Sequence, residues 1–312
     1  MRIVSLLPSA TEILFGLGLA QEIVGVSHEC DFPLRARTKT RVIHSRIPKD
    51  AAPDEIDRMV REYVSRGESL YAVDEEVLKD LAPDLIITQD LCHVCAASPD
   101  DLAAIITKFP KRPEVLCLNP RDLRDVWRDI LWVGEETKRT ARAEQIVAMI
   151  GERIGELEII ADAIDLRPRV VLLEWLQPFY VGGHWVPEMI ARAGGIDVIG
   201  KVATPSFRVT EEEIIAAAPE VLIVAPCGYS KEQSRDEYRS LTFSAEWASI
   251  PAVANGRVFA MDAKSYVSRP GPRLVTGMEA MVKTIHPYVR VRPGAEAAVL
   301  PMSPRNAQTA SA

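Results

Sequence analysis

Short apolar runs alternate with helical stretches along most of this chain, and this alternation limits the folds it can adopt. The first apolar run covers residues 3–7, and Ser9 and Glu12 after it are spaced as a helix N-cap and its capping-box partner. Further strands are predicted at 23–27, 84–88, 114–118, 170–173, 197–199, 221–224 and 258–261. Because parallel strands need long crossover connections, the pattern predicts an α/β fold with parallel sheets.

A proline-free segment divides this pattern into two halves. Between Pro120 and Pro168 there is no proline in 47 residues, and apolar residues recur there at helical spacing. We predict one long helix, or two helices in series with a break near Gly134 or Gly151. The chain is thus predicted to form two Rossmann-like α/β lobes, a connecting helix and a flexible tail, with boundaries at 1–120, 121–167, 168–290 and 291–312.

The two halves resemble each other in sequence. Residues 74–88 can be laid over residues 210–224 so that Pro83 meets Pro219, and each stretch reads as a capped helix followed by a strand. A diverged duplication would place the carboxyl ends of both sheets around one crevice. Ligands of open α/β sheets bind at such ends, so the expected site is a cleft between the lobes.

Composition and charge exclude several classes of protein. The chain has 312 residues, 47% of them hydrophobic, and a net charge of −7, which is typical of a soluble globular protein and argues against a nucleic-acid partner. No apolar run is long enough to cross a membrane, and no signal peptide opens the chain. As the sequence stands it predicts a cytoplasmic protein without membrane insertion; a periplasmic or cell-surface location requires a start codon further upstream.

Aromatic residues are concentrated in the loops that follow the predicted strands. Trp175, Tyr180 and Trp185 lie close together in the chain, and Tyr266 follows a later strand. Glycine and proline interleave the first cluster, which favours a loop over a core. A broad apolar cleft of this kind suits a large, flat organic ligand. Tryptophans 127, 132 and 247 lie on helical patterns and are predicted to be core residues.

Cysteines are also frequent in these loops. The five cysteines are an odd number in a chain of this size, which favours free thiols over a disulfide framework. Cys30, Cys92 and Cys95 form a candidate metal site, although a single CxxC is a weak signal. Alternatively Cys92 and Cys95 form a redox pair. The chain contains no P-loop and no nucleophile elbow.

The opening block resembles the substrate-binding proteins of vitamin B12 and iron-chelate ABC importers. The resemblance is carried by residues 2–18 and 23–33, by the Ala-Pro-Asp and Ala-Pro-Glu pieces at residues 82–84 and 218–220, and by residues 187–195. It extends over residues 1–288 and is strongest toward the cobalamin-binding branch. Members of this family are normally exported or lipid-anchored.

The resemblance implies a non-enzymatic protein that captures cobalamin or a related corrinoid and needs no cofactor of its own. It also implies delivery to an ABC permease. A bound metal ion is left open. The residues predicted to surround the ligand are Ser9, His28, Cys30, Cys92, Trp175, Tyr180, Trp185, Cys227, Tyr266 and Arg269. The aromatic rings are expected to stack on the corrin ring, and Arg269 is expected to meet its polar edge groups.

Two other functions are consistent with the sequence. The first is a receptor for an iron chelate or for a metal held by thiolates, with Cys30, Cys92 and Cys95 as ligands. The second, from a different class, is a thiol-disulfide oxidoreductase that uses Cys92 and Cys95. The thiol-rich loops favour these alternatives, because simple corrinoid capture needs no thiols.

Overall fold

The computed structural model describes residues 1–48, 51–89 and 99–302. The chain divides into two compact α/β units, which confirms the predicted fold class. Unit 1 comprises residues 1–149 and the short segment 270–272, and unit 2 comprises residues 150–269 and those from 273 onward. Among the described residues, no helix is both long and apolar enough to cross a membrane.

Unit 1 is built on a six-stranded sheet. Its strands are β1 (Ile3–Ser5), β2 (Ile23–Ser27), β3 (Thr40–Ser45), β4 (Tyr71–Val73), β5 (Leu85–Gln89) and β6 (Glu114–Leu118). Their order across the sheet is β4-β3-β2-β1-β5-β6, and β4 alone runs antiparallel to its neighbour. The strand order reverses between β1 and β5, so the carboxyl ends of these two strands mark the topological switch point.

Helices connect the strands of this sheet. They are α1 (Pro8–Gly16), α2 (Pro53–Ser65), α3 (Glu75–Asp80), α4 (Pro99–Ile106), α5 (Leu123–Glu136) and α6 (Thr140–Asp162), with a 3₁₀ segment at Leu34–Thr38. Apolar residues of the strands and of α3 and α4 form one buried cluster, which includes Val4, Ile86, Leu78 and Leu102. The predicted strands at 23–27 and 114–118 are confirmed with the same bounds, whereas β3, β4 and α2 were not predicted.

The start of α1 differs from the prediction. The helix begins at Pro8, its N-cap is Leu7, and no side chain caps it. Proline suits the first helical position because its φ is preset and its missing N–H is not needed there. Ser9 therefore falls inside the first turn instead of preceding it, and both Ser9 and Glu12 are buried. The predicted capping box at this helix is wrong.

The proline-free segment forms two helices rather than one. α5 ends at Glu136, Lys138 takes a left-handed φ of 59°, and α6 begins at Thr140. Gly134 lies near this break, as one of the sequence alternatives had it, and a Cβ at Gly134 would collide with the Cβ of Ala143. The glycine thus lets the two helices approach closely. The division between the units falls within α6, at residues 149 and 150.

Unit 2 is built on a seven-stranded sheet. Its strands are β7 (Arg169–Leu176), β8 (Phe179–Val181), β9 (Ile196–Asp197), β10 (Phe207–Arg208), β11 (Val221–Val224), β12 (Val258–Met261) and β13 (Val299–Met302). The order is β10-β8-β7-β11-β12-β13, and β9 pairs with the first residues of β7. Strands β9, β7, β11 and β12 are parallel, whereas β8, β10 and β13 join by antiparallel pairing.

The helices of unit 2 are shorter, apart from one that is almost wholly buried. They are α7 (Val186–Arg192), α8 (Glu211–Ala217), α9 (Lys231–Ser240), α10 (Pro251–Ala254), α11 (Ala263–Tyr266), α12 (Leu274–Ile285) and α13 (Pro293–Glu296), with a 3₁₀ segment at Ala245–Ser249. In α12, the buried Glu279 accepts two hydrogen bonds from Arg153, at 2.9 and 2.7 Å. Arg292 approaches the same carboxylate at 3.5 Å, so this buried charge has two cationic neighbours.

The internal repeat predicted from the sequence has a structural counterpart in each unit. Helix α3 is capped by Asp74 and α8 by Thr210, which forms a capping box with Glu213. Each helix is followed by an alanine with a left-handed φ, 40° at Ala82 and 44° at Ala218, and then by a proline. The next strand, β5 or β11, pairs in parallel with the first strand of its own sheet.

The prediction of a flexible tail from residue 291 is wrong for residues 293–302. Helix α13 and strand β13 occupy this stretch, and β13 pairs antiparallel with β12 from Met261 to Val258. The strand was not predicted because the composition of this stretch is of low complexity. Val299, Leu300 and Met302 are nevertheless apolar, and Met302 is buried in the core of unit 2. The edge of the sheet is therefore completed by residues near the end of the chain.

Candidate functional site

The carboxyl edge of the unit 1 sheet carries a buried network of hydroxyl groups and one thiol. Thr11 Oγ1 lies 2.8 Å from Ser5 Oγ and 3.0 Å from Cys30 Sγ. The Cys30 thiol lies 3.7 Å from Ser27 Oγ, whose oxygen also accepts the backbone N–H of Glu29 at 3.1 Å. All the side chains of this network are buried. It ties the ends of β1 and β2 to the first turns of α1.

This network changes the interpretation of Cys30. The sequence pattern predicts a thiol that contacts a ligand or a metal, but Cys30 is only 1% exposed. Its backbone carbonyl also accepts a hydrogen bond from Arg41 at 3.0 Å, and the same guanidinium nitrogen donates to the carbonyl of Ser27. The structure thus gives Cys30 a packing role in the loop after β2. Ser9 is buried as well, in the first turn of α1.

His28 lies in the same loop, at the carboxyl end of β2. Its Nε2 is 3.4 Å from Glu29 Oε1, and its ring is 5.8 Å from the ring of Tyr71 at the start of β4. Burial lowers the pKa of His28, and the carboxylate of Glu29 opposes that effect. A largely neutral imidazole beside a tyrosine can accept or donate a hydrogen bond, which suits a polar contact with a ligand.

The carboxyl edge of the unit 2 sheet carries aromatic side chains instead. Trp175 lies opposite Tyr180 in the pairing of β7 with β8. Its indole ring meets Tyr229 edge-on at 5.7 Å, and its Nε1 donates to the carbonyl of Gln177 at 3.0 Å. Trp175, Tyr180 and Tyr229 are all partly buried and none is sealed in the core. They form a partly exposed aromatic surface on this edge, which we call the aromatic edge.

Trp185, expected near the ligand, and its neighbour Phe179 pack in the interior of unit 2 instead. Trp185 is 5% exposed, and its Nε1 donates to the backbone carbonyl of Val267 at 2.9 Å. Phe179 stacks on Trp247 at 5.6 Å and on Phe243 at 6.4 Å, and these two rings stack on each other at 4.4 Å. Alternation along β8 turns Phe179 and Tyr180 to opposite faces. The prediction that Trp185 stacks on the ligand is therefore wrong.

The prediction that the tryptophans at helical spacing are core residues is confirmed only in part. Trp247 is 3% exposed and lies in the core of unit 2, as predicted. Trp132 on α5 is 39% exposed and donates to Glu136 Oε1 at 3.3 Å, so its prediction as a core residue is wrong. Its helical spacing indicated a helix correctly, but the position lies on the solvent side.

The remaining predicted residues of unit 2 lie after β11 and β12. Cys227 is exposed, and its backbone N–H donates to the carbonyl of Glu174 at 2.9 Å. Tyr266 ends the short helix α11, with the guanidinium of Arg273 5.5 Å from its ring centre. Arg269 is almost completely buried. Their proposed roles toward a ligand stay predictions.

Two carboxyl groups on the neighbouring strands β7 and β9 were not predicted from the sequence. Glu174 Oε2 accepts a hydrogen bond from Ser206 Oγ at 2.5 Å, and burial raises the pKa of Glu174 to about 7. Asp197 Oδ1 accepts the N–H groups of Ile199 and Gly200, and burial raises the pKa of Asp197 too. The two residues are far apart in sequence, so only their position on neighbouring strands β7 and β9 could have connected them.

Of the predicted metal and redox residues, only Cys30 lies within the described part of the chain. Cys92 and Cys95 lie outside the described residues, so the metal site with Cys30 and the redox pair both stay predictions. Within the ranges that the structure describes, no three His, Cys, Asp or Glu side chains are grouped so that they could hold a metal ion.

The parallel sheets with helical crossovers and the residues at their carboxyl ends are typical of proteins that bind small solutes. A sequence family model described as "Periplasmic binding protein" matches residues 3–265. The chain belongs to this family. The resemblance to substrate-binding proteins of ABC importers is thereby confirmed, and the protein is of that solute-binding class, whose members deliver small molecules to a permease.

Similar proteins span nearly the whole chain. An uncharacterized ABC transporter substrate-binding lipoprotein of Bacillus subtilis is 24% identical over 299 residues, covering 92% of this chain and 80% of that protein. A vitamin B12-binding protein of Vibrio cholerae is 23% identical over 291 residues, covering 89% of this chain and 86% of the relative.

Solved structures show the same fold. A periplasmic heme-binding protein of Roseiflexus sp. RS-1 superposes with a TM-score of 0.69 at 25% identity, covering 92% of this chain and 98% of that one. The periplasmic vitamin B12-binding protein of Vibrio cholerae superposes with a TM-score of 0.64 at 22% identity, covering 91% and 96%. Proteins named for two different tetrapyrrole ligands therefore share this architecture.

Proposed function

We propose that this protein captures cobalamin or a related corrinoid as the substrate-binding component of an ABC importer and performs no chemistry on it. The aromatic edge of unit 2 carries this proposal. Trp175, Tyr180 and Tyr229 offer partly exposed rings beside one another, whereas most large apolar side chains of the unit are sealed in its core. A corrin ring is broad and partly apolar, so burial against such rings would supply most of its binding free energy.

Polar side chains of each unit, taken by itself, would orient a bound ligand. Within unit 2 we assign Cys227, Tyr266 and Arg269 to this role, since each follows the carboxyl end of β11 or β12. Within unit 1 we assign Ser9, His28 and Cys92, and we give Cys30 the supporting role that its burial indicates. The vitamin B12-binding relatives at 22–23% identity support this ligand class.

Heme is the second candidate ligand. It is favoured by the structural similarity to a heme-binding protein at 25% identity and by the shape of the aromatic edge, which suits either tetrapyrrole. A receptor for another iron chelate is a third possibility within the same class. The thiolate-bound metal and the Cys92/Cys95 oxidoreductase have no support from the described residues.

A paired titration tests the proposal. The purified protein is titrated with aquocobalamin and, in parallel, with hemin, while the visible spectrum and tryptophan fluorescence are recorded. We expect saturable one-to-one quenching by aquocobalamin at low micromolar concentration and weaker, non-saturating quenching by hemin. The reverse order would assign heme, and no saturable response to either ligand at high micromolar concentration would refute the proposal.

Two tryptophan variants test whether the aromatic edge binds the ligand. Trp175→Ala removes the largest ring of the aromatic edge, and we expect it to weaken aquocobalamin binding by about tenfold or more, the loss typical of a buried aromatic contact. Trp132→Phe is the matched control, because Trp132 is also partly exposed but lies on α5 in unit 1. Equal affinity of the two variants, measured by spectral titration, would remove the aromatic edge from the site.

The same relatives support delivery to an ABC permease and a location outside the cytoplasmic membrane. The Bacillus subtilis relative is named as a lipoprotein, and several structural neighbours are named as periplasmic. Mapping the N-terminus of the protein isolated from its native cells, together with fractionation of those cells, tests the location. Recovery of the protein in the cytosolic fraction alone would contradict it.

A further inference from the structure

Two carboxyl groups of unit 2, those of Glu174 and Asp197, have no cationic partner among the described residues. Glu174 directly precedes Trp175 near the carboxyl end of β7, and Asp197 ends β9, where it lies opposite Val170 near the start of β7. The negative charge of Asp197 opposes the ionisation of Glu174 and raises its pKa, although burial is the larger cause. Two carboxylates removed from water repel each other unless at least one of them holds a proton.

The hydrogen bonds around Glu174 account for one of its oxygens. Oε2 accepts from Ser206 Oγ at 2.5 Å, and the backbone N–H of Gly183 also favours the charged form. These two donors offset only part of the desolvation, because burial still raises the pKa of Glu174 to about 7. The neutral form of this carboxyl group therefore persists at pH values where an exposed glutamate is ionised.

Asp197 has one satisfied and one unsatisfied oxygen. Oδ1 accepts the N–H of Ile199 at 3.0 Å and that of Gly200 at 2.7 Å. Oδ2 is buried and no described group donates to it. A Cβ at Gly200 would collide with this oxygen and would lie 2.8 Å from the carbonyl oxygen of Gly182, so both oxygens border the same narrow space. A buried carboxyl oxygen that receives no hydrogen bond favours the protonated form, whose O–H can donate.

None of the described cationic side chains on the surrounding elements is paired with either carboxyl. The ammonium of Lys201 lies over the ring of Phe207 at 5.4 Å, and Arg192 on α7 pairs with Glu158. The side chain of Arg208 on β10 is exposed, and that of Arg169 at the far end of β7 donates to the carbonyl of Ala217. The other titratable groups on these elements are Tyr180, His184, Glu188, Cys227 and Tyr229. The ring of His184 lies 5.6 Å from that of Trp185.

Segment 198–206 is attached to unit 2 through Glu174, Asp197 and the residues that follow β8. His184 donates its N–H to the carbonyl of Thr204 at 2.7 Å, and Ala203 donates to the carbonyl of His184 at 3.0 Å. A Cβ at Gly183 would collide with the backbone of residues 204–206, so the two chains are in direct contact there. Ser206 joins Glu174 at one end of the segment, and Ile199 and Gly200 join Asp197 at the other.

We propose that Glu174 and Asp197 form a proton-dependent clasp that holds segment 198–206 against the carboxyl edge of the unit 2 sheet. With a proton on the pair, both ends of the segment are fastened and the negative charges do not repel. When both groups ionise, the uncompensated charges favour an opened segment in which water reaches the carboxylates. The clasp is closed at pH 5–6 and weakened at pH 8, and it acts on the loop that adjoins Trp175. This inference does not require that the ligand is a corrinoid.

The sign of the effect follows from the raised pKa values. The opened segment leaves the carboxyls with ordinary pKa values near 4–4.5, whereas the closed segment holds Glu174 at about 7. The closed form therefore binds more protons, and its stability falls as the pH rises from about 4.5 to about 7 and is then constant.

Hydrogen exchange of the ligand-free protein at pH 5.5 and pH 8.5 tests the clasp. We expect the protection factors of the Ile199, Gly200 and Ala203 amides, corrected for intrinsic rates, to fall by at least about tenfold between these pH values. Glu174→Gln should keep them within about twofold, because an amide cannot ionise. Glu246→Gln is the matched control on an exposed position and should behave like the unmodified protein. Unchanged protection in the unmodified protein, or the same pH effect in both variants, would overturn the proposal.

A measurement on the unmodified chain covers the case in which Glu174→Gln does not fold. Carbon-13 NMR of the side-chain carboxyl groups gives the ionisation midpoint of Glu174 directly. A midpoint between pH 6 and 8 that coincides with the loss of amide protection supports the clasp, and a midpoint below pH 5 refutes it. Because neither measurement contains a ligand, failure of cobalamin binding and failure of the clasp are distinguishable results.

Discussion

The carboxyl edges of the two sheets both contain buried polar groups, but the chemistry of these groups differs. In unit 1, hydroxyl groups and the Cys30 thiol satisfy one another. In unit 2, Glu174 lies near the carboxyl end of β7 and Asp197 ends the neighbouring β9, and neither carboxyl has a cationic partner among the described groups. Hydroxyl groups do not ionise near neutral pH, whereas buried carboxyls couple local structure to proton concentration. Two repeats of similar topology thus differ in how they respond to their surroundings.

The buried Glu279 in unit 2 sharpens this comparison, because it is a carboxylate with cationic partners. Arg153→Met removes the bidentate partner and leaves Glu279 with Arg292 alone at 3.5 Å. We expect a loss of about 3 kcal/mol in the free energy of unfolding, because a buried charge becomes poorly compensated. Urea denaturation monitored by circular dichroism measures it. Arg167→Met, which breaks an exposed pair with Asp162, should cost less than about 1 kcal/mol, and similar losses for both variants would contradict the expectation.

Asp129 on α5 is a buried carboxyl in unit 1, so it tests whether the two units really differ in their response to pH. It is buried, its Oδ2 has no partner among the described groups, and burial raises its pKa to about 7. The folded state then binds the proton more tightly, so the stability from this group is present below about pH 4 and is lost as the pH rises toward 7. We expect Asp129→Asn to raise the free energy of unfolding at pH 8 by about 2 kcal/mol and to change it little at pH 4.

The control for Asp129 is Glu135→Gln on the exposed side of the same helix. Urea unfolding of both variants at pH 4, 6 and 8 separates a general charge effect from a local one. If Glu135→Gln stabilises the protein as much as Asp129→Asn at pH 8, the buried acid is not the source of the pH dependence. Unit 1 would then be as insensitive to pH in its helices as at its sheet edge.

The hydroxyl and thiol network gives the smallest expected effect and the flattest pH profile. Thr11→Val keeps the shape of the side chain but removes the oxygen that lies between Ser5 and Cys30. We expect a loss of about 1–2 kcal/mol that is equal at pH 5.5 and pH 8. Thr38→Val, at an exposed threonine, should change stability by less than about 0.5 kcal/mol. A loss that varies with pH would contradict this expectation and would point to ionisation of the Cys30 thiol.

The sequence predicted elements well where local signals and tertiary contacts agree. Asp74 and Thr210 each cap a helix, and the apolar runs after Pro83 and Pro219 form the central strands β5 and β11. Capping, helix propensity and a buried apolar run all point to the same structure there. At α1 the local signals competed, and the proline at the first helical position prevailed over the possible cap at Ser9.

The site was predicted less completely, because side-chain environments depend on contacts between distant residues. Trp175 and Tyr180 lie at the aromatic edge, but strand alternation and the packing of α7 put Phe179 and Trp185 into the core. Cys30 was expected to contact the ligand or a metal, yet its thiol lies against Thr11 and Ser27. No local pattern joins Glu174 to Asp197 or Ser206, since only the pairing of β7 with β8 and β9 brings these positions together.

The match to the family ends at residue 265, but the fold of unit 2 does not. Helix α12 begins nine positions later, and ten of its twelve residues are buried. Strand β13 comes later still and covers one side of β12. A recombinant fragment cut where the family similarity stops would expose that flank and much of the interior, and we expect it to aggregate on expression. Expression boundaries for this protein therefore have to follow the architecture of the second unit and not the reach of its recognisable sequence.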